Sequence, residues 1–247
     1  MELLKDKELK FGDSTVNPDI RMLSDMNDVI YDREWLATAE NIELYYMYRD
    51  LALNEKDRET MRNENLRYDI TIIPANNLGR EFVKTIGHYH PEIDGVGLSY
   101  TEIYEVIEGE AHYLLQGLKD DRIMDVVLVK AKKGDKIIIP PNYGHITINP
   151  SKETLVMANY VSDKFSSIYD PIRKKRGGAY FELTDGNFIK NQNYNNLPPI
   201  RIIDAQEIYE FGITRSIRMY DLIKTPEKLK FLNEPHDYED VFNKALL

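Results

Sequence analysis

Residues 84–116 read KTIGHYHPEIDGVGLSYTEIYEVIEGEAHYLLQ. The chain has only five histidines, and two of them, His88 and His90, stand here one residue apart. On an extended segment residues i and i+2 share a face, so both imidazoles project together and Tyr89 points the other way. Glu102 opens the next alternating run, EIYEVIEG, and brings a carboxylate to the same neighbourhood. A first-row divalent ion takes N and O ligands that converge at about 2 Å. His88 and His90 supply two of them without bending the backbone, and Glu102 offers a third. His145, in GDKIIIPPNYGHITIN, follows a turn at the head of another apolar run, whereas His112 and His236 have no comparable setting. Taken singly, these are a strand histidine pair, a strand-end acid and a loop histidine. Together, among ordered glycines and prolines, they point to a metal site.

From Tyr68 to Tyr160 the chain is a series of short alternating or β-branched runs: DITIIP, REFVKTIGHYH, EIYEVIEG, EAHYLLQ, MDVVLVKA, DKIIIP, HITINP and LVMANYV. Turn residues separate them, at Asn76-Asn77, Glu108-Gly109, Lys133-Gly134-Asp135 and Pro140-Pro141-Asn142. Many short strands at this spacing predict an all-β sandwich or barrel rather than alternating strands and helices. AYFELTDGNFIK reads as a further hairpin turning at Asp185-Gly186. The first part, to about Arg67, is mixed, and Asp32 can cap a short helix at Arg33-Glu34-Trp35-Leu36. NQNYNNLPP reads as a linker. Beyond it, short helical stretches broken at Pro226 and Pro235 predict an extension that packs on the barrel or on a partner subunit. The expected organisation is a domain over 1–195, with its barrel core near 68–165, and a C-terminal extension over 196–247.

The 247 residues carry a net charge of −10, which argues against nucleic acid and against a polybasic membrane contact as partners. Cysteine is absent, so any metal must be held by His, Asp or Glu. No run approaches the roughly 20 apolar residues of a membrane span. The first residues, MELLKDKELKFGD, lack an apolar signal-peptide core, and a cytoplasmic location is expected.

Two motifs carry a resemblance. Gly87-His88-Tyr89-His90 with Glu102 and Gly109 is similar to the first cupin motif, and Gly134, Pro140, His145 and Asn149 are similar to the second. The loop PEIDGVGLSYT is longer than usual, and Asn142 stands where a glycine is expected. Asn is the residue after glycine that best tolerates a left-handed turn. Arg21-Met22-Leu23-Ser24-Asp25-Met26, Glu102-Ile103-Tyr104, Leu114-Leu115-Gln116 and Pro140-Pro141-x-Tyr143-x-His145 narrow the match. Over residues 20–190 the chain resembles the cupin-type glucose-6-phosphate isomerases of archaea and some bacteria.

The resemblance implies a double-stranded β-helix (jelly-roll) barrel and a homodimer. It implies a divalent metal on His88, His90, Glu102 and His145, with iron(II) first and manganese, nickel or zinc as alternatives. It places Thr71, Thr85 and Gly87 near the phosphate of a phosphorylated hexose, and Tyr104, Tyr160 and Tyr45 along the sugar. A histidine present in some members is Ser166 here. The implied reaction interconverts glucose 6-phosphate and fructose 6-phosphate, by an enediol with Glu102 as base or by a hydride shift. The rivals are an iron-dependent cupin dioxygenase, an isomerase of another phosphosugar such as mannose 6-phosphate, and a non-enzymatic sugar-binding cupin. No basic cluster marks the phosphate end. The run Arg173-Lys174-Lys175-Arg176 is the one candidate, and such runs are usually solvated surface.

Overall fold

The computed structural model describes residues 1–207 and 209–245. The expected extension therefore includes Ile208, Leu246 and Leu247, which lie outside the described residues.

Ten strands build the barrel: β1 (Asp19–Met22), β2 (Glu43–Tyr48), β3 (Leu66–Ile73), β4 (Glu102–Glu108), β5 (Glu110–Lys119), β6 (Arg122–Lys132), β7 (Lys136–Ile139), β8 (Tyr143–Ile148), β9 (Leu155–Ser162) and β10 (Arg201–Asp204). They form two sheets, ordered β7-β4-β9-β3-β2-β1 and β8-β5-β6-β10. Every pairing in them is antiparallel except β6 with β10. The chain passes repeatedly from one sheet to the other, which is the double-stranded β-helix expected from the sequence. The short helix Arg33–Leu36 also forms where expected, with the Asp32 carboxylate accepting from Trp35 N at 3.2 Å. The hairpin Tyr180–Glu182 with Phe188–Lys190 turns at Gly186, whose φ is +86°.

The centre of the six-stranded sheet is buried on both faces. All eight residues of β9 are buried, although alternate side chains point to opposite sides. One face meets the other sheet. The other, carrying Tyr68, Ile70, Ala158 and Tyr160, shares an apolar core with Leu9 and Phe11 from the N-terminus and Tyr220, Leu229, Phe231 and Leu232 from the C-terminal residues. Phe231 and Leu232 are fully buried there. Full burial of one such side chain stabilises by about 1.5–3 kcal/mol. The C-terminal residues thus pack on the barrel.

Two expectations need correction. NQNYNNLPP is not a free linker: Asn191 Nδ2 donates to Gly178 O at 2.9 Å and Lys175 O at 2.8 Å, and Tyr194 Oη donates to Gly177 O at 3.0 Å. The chain that follows is strand before it is helix, because β10 joins the open edge of β6 in parallel register. REFVKTIGHYH is not a continuous strand either. Glu81–Phe82 pairs locally with Asn77–Leu78, and beyond them, among the described residues, only single bridges form: Lys84 with Ile148, His88 with His145 and Tyr89 with Ile168. Gly87, at φ +83°, breaks the ladder between the first two of these bridges.

Candidate metal centre

β4 and β8 belong to different sheets, and the His88–His90 segment is laid against β8. His88 and His145 exchange backbone hydrogen bonds, which brings His145 level with His88. Glu102 is the first residue of β4 and faces inward between them. The result is a cluster in which ligand atoms of His88, His90, Glu102 and His145 all lie within 4.8 Å of one another. Glu102 Oε2 is 3.2 Å from both His90 Nε2 and His145 Nε2.

The donor set fits a divalent cation. His90 Nε2, Glu102 Oε2 and His145 Nδ1 are buried and have no hydrogen-bond partner among the described residues. Unsatisfied buried polar atoms are costly, and one cation satisfies several of them together. His90 Nδ1 lies 3.0 Å from Tyr100 O, which fixes its proton there and leaves the Nε2 lone pair free for a metal. The long loop before Glu102 therefore has a task, since it carries Tyr100. Asn142 pins that loop through Ser99, with Asn142 N donating to Ser99 Oγ at 2.7 Å and Ser99 N to Asn142 Oδ1 at 3.0 Å. Asn142 itself sits at φ +64°, the left-handed turn the sequence called for. Phe165 closes the site, its ring stacked on Tyr100 and 4.7 Å from the His90 ring.

Burial alone would raise the Glu102 carboxyl, but His145 and His90 more than offset it, and the group is held well below the usual carboxylate range. Burial, followed by the neighbouring imidazoles, pushes His88 well below the ordinary histidine value, and burial also lowers His145. At neutral pH Glu102 is a carboxylate, and His88 and His145 are unprotonated imidazoles ready to ligate.

The cluster stands in a cavity of about 340 Å³ between the sheets. Its lining includes Tyr45, Thr71, Thr85, Gly87 and Tyr104, all expected from the sequence, and Ser166. Tyr104 Oη is 3.2 Å from His145 Nε2. Tyr160 is the exception. Neighbouring Asn159 and Val161 line the cavity, so Tyr160 faces the opposite side of β9. There it packs on Tyr68 and donates to Tyr220 O at 3.0 Å. The Arg173–Arg176 run is also elsewhere: Arg173 pairs with Asp28, Lys174 with Asp170, and none of the four lines the cavity among the described residues. The cavity's own cations are Arg49 and Arg67, beside Asp69. The sequence reading passed over these three. Period two marks them, since Arg49 is in phase with Tyr45, and Arg67 and Asp69 with Thr71.

Comparison with known proteins adds one decisive finding. The family model described as Glucose-6-phosphate isomerase (GPI) matches residues 20–199. The chain belongs to that family. It is 28% identical over 174 residues to the glucose-6-phosphate isomerase of Thermococcus gammatolerans, covering 69% of this chain and 82% of the relative. The isomerase of Pyrococcus furiosus is 28% identical over 148 residues, covering 58% and 70%. Among solved structures, an oxalate oxidase gives a TM-score of 0.38 at 16% identity, over 52% of this chain and 56% of that one. Oxalate decarboxylase from Bacillus subtilis gives 0.35 at 17%, over 51% and 27%. No helix of this GPI-family chain is long and apolar enough to cross a membrane among the described residues.

Proposed function

We propose that the protein is a metal-dependent aldose–ketose isomerase that interconverts glucose 6-phosphate and fructose 6-phosphate. The observation that carries this reading is the convergence of His88, His90, Glu102 and His145 inside a cavity also lined by Tyr45, Thr71, Thr85 and Tyr104. A divalent ion on those four residues, iron(II) first among the candidates, would supply Lewis-acid stabilisation to charge developing on the sugar's C1 and C2 oxygens.

The chain's own groups do the rest. Tyr104 stays protonated, since burial and then the Glu102 charge raise its phenol well above the ordinary value, so it donates a hydrogen bond at the reacting end. Glu102 is the carboxylate in position to move a proton between the two carbons. Thr71, Thr85 and the Gly87 backbone receive the phosphate. Phe165 excludes water from the His90 side. The reading includes a homodimer, carried by the family resemblance alone, and the cytoplasmic location expected from the sequence.

The test is a coupled assay on metal-stripped protein, with fructose 6-phosphate and added Fe²⁺, Mn²⁺, Ni²⁺ or Zn²⁺. Metal-dependent formation of glucose 6-phosphate is expected, with loss in His88→Ala and Glu102→Gln. Folded, metal-loaded protein that turns over no hexose phosphate would overturn it, and oxygen uptake would then test the dioxygenase alternative.

A further inference from the structure

The net charge of −10 leaves an anionic substrate in need of a local cation, and neither Thr71 nor Thr85 provides one. Arg49 follows β2 directly and lines the cavity. Its guanidinium folds back along its own strand: Nη2 reaches Met47 Sδ at 3.3 Å, and Nε donates to Asp19 Oδ2 at 2.9 Å. Asp19 pairs with Met47 across the sheet, and Met47 pairs with Thr71. The charge therefore lies beside Asp19 and Met47, and Met47 is the register neighbour of Thr71. Thr71 is in register with Met157 on β9, and β9 pairs in turn with β4, the strand of Glu102. From β4 to β2 is three interstrand steps, about 14 Å, a span on the scale of a hexose phosphate with its carbonyl end at the cluster.

Arg49 has one close ion pair, with an exposed acid, and one long one, with a buried acid. Asp69 is the nearest buried acid, but Arg67 Nε already takes both of its oxygens, at 3.0 and 2.9 Å, and Asp50 N donates to it at 2.9 Å. Arg49 Nη1 stays 3.8 Å from Asp69, too long for a hydrogen bond. Its close partner is Asp19, whose side chain is 67% exposed. An exposed pair of this kind is weak, whereas a phosphate dianion offers arginine parallel charge-assisted hydrogen bonds.

We propose that Arg49 is the cation that binds the substrate's phosphate, released to it by Asp19, with Thr71, Thr85 and the Gly87 backbone completing the site. Arg67 is then a positioning residue that occupies Asp69 and keeps Arg49 from a close pair with it. The choice of a phosphosugar as ligand rests on the isomerase reading above. The arginine is what selects phosphorylated over unphosphorylated sugar.

The experiment compares Arg49→Gln, Arg49→Lys and Asp19→Asn with the wild-type holoenzyme. Each is checked for fold by circular dichroism and for fructose 6-phosphate binding by calorimetry, alongside kinetics. Arg49→Gln is expected to raise Kd and KM together by about 10- to 100-fold, with the smaller share of the loss in kcat. Arg49→Lys should fall between. Asp19→Asn should tighten binding a few-fold, an outcome that a purely structural Arg49–Asp19 pair would not give, and it remains informative if Arg49→Gln fails to fold. Unchanged Kd and KM in Arg49→Gln, or weaker binding in Asp19→Asn, would overturn the proposal. If the wild type isomerises but Arg49 has no effect, the phosphate site falls and the isomerase stands. If the wild type does not isomerise but binds the phosphosugar through Arg49, the reverse holds.

Discussion

His88 and His145 are joined by two backbone hydrogen bonds, His88 N to His145 O at 3.2 Å and His145 N to His88 O at 3.0 Å, and their ring centroids are 4.3 Å apart. This bridge fastens the two sequence motifs to each other. Backbone hydrogen bonding thus sets the approach of two metal ligands, and the pleat of β4 adds Glu102 as a third. A site assembled this way is preorganised, so an ion binds without paying for folding the loops around it.

The first prediction follows from that preorganisation. Protein stripped with a chelator should keep its native circular dichroism, and adding back a cognate divalent metal should raise Tm. At a free metal concentration a hundredfold above Kd the gain is about 2.7 kcal/mol. His88→Ala keeps the backbone bridge and loses one ligand. Its metal-free Tm should therefore stay within a few degrees of wild type, while the metal-induced rise shrinks. A scanning-calorimetry series of both proteins with and without metal checks this. A metal-free wild type that is already unfolded would refute preorganisation.

The second concerns pH. Burial and the adjacent imidazoles hold folded His88 well below its ordinary value, and burial holds His145 below it too. In the unfolded chain both titrate near 6.5. As pH falls through that value the unfolded state binds more protons than the folded state, so stability must fall. Glu102 is also lowered in the folded state, and its contribution is likewise lost as pH drops below the ordinary carboxylate value. All three act in one direction. The urea midpoint of metal-free protein should be highest above about pH 7 and should decline through pH 6 and 5. A flat midpoint over that range would show that these histidines are not buried neutral.

The metal cluster was legible because its signals are local. His88 and His90 are two apart, and strand parity alone puts them on one face. The barrel was legible from alternation between turns. What escaped notice depends on partners distant in sequence. Ile202 and Ile203 in β10 give no sign that they will pair with Leu128 and Val129 on β6. The charge of Arg49 and Arg67 is gathered from separate strands and leaves no local signal, whereas the contiguous run at 173–176 is conspicuous in the sequence and lies outside the cavity. Tyr160 was misplaced by resemblance where parity would have corrected it.

The third prediction tests the turn that delivers the histidines. Gly87 sits at φ +83°, and a Cβ there would lie 2.3 Å from Ile146 Cγ1. Gly87→Ala therefore meets both backbone strain and a clash on β8, beside His145. It should cost about 1–3 kcal/mol and weaken metal binding as well. Gly95 is the control: its φ is +75°, but a Cβ would meet nothing within 4 Å. Gly95→Ala should cost only the strain and leave metal affinity as it was. Chemical denaturation and metal titration of the two variants separate these effects.

The fourth sets two buried tyrosines against each other. Tyr104 and Tyr160 both lie in the β4–β9 pair, yet Tyr104 faces the cavity with its hydroxyl 3.2 Å from His145 Nε2, and Tyr160 faces the outer core with its hydroxyl on Tyr220 O. Removing the Tyr104 hydroxyl takes a donor from the reacting end, so Tyr104→Phe should lower kcat by about 10- to 100-fold with a small change in Tm. Removing the Tyr160 hydroxyl leaves the Tyr220 carbonyl without its donor, so Tyr160→Phe should cost about 0.5–1.5 kcal/mol of stability. Its kcat and KM should match the wild type, because Asn159 and Val161, not Tyr160, line the cavity. A Tyr160→Phe protein with normal stability and impaired turnover would show that β9 presents its other face to the sugar.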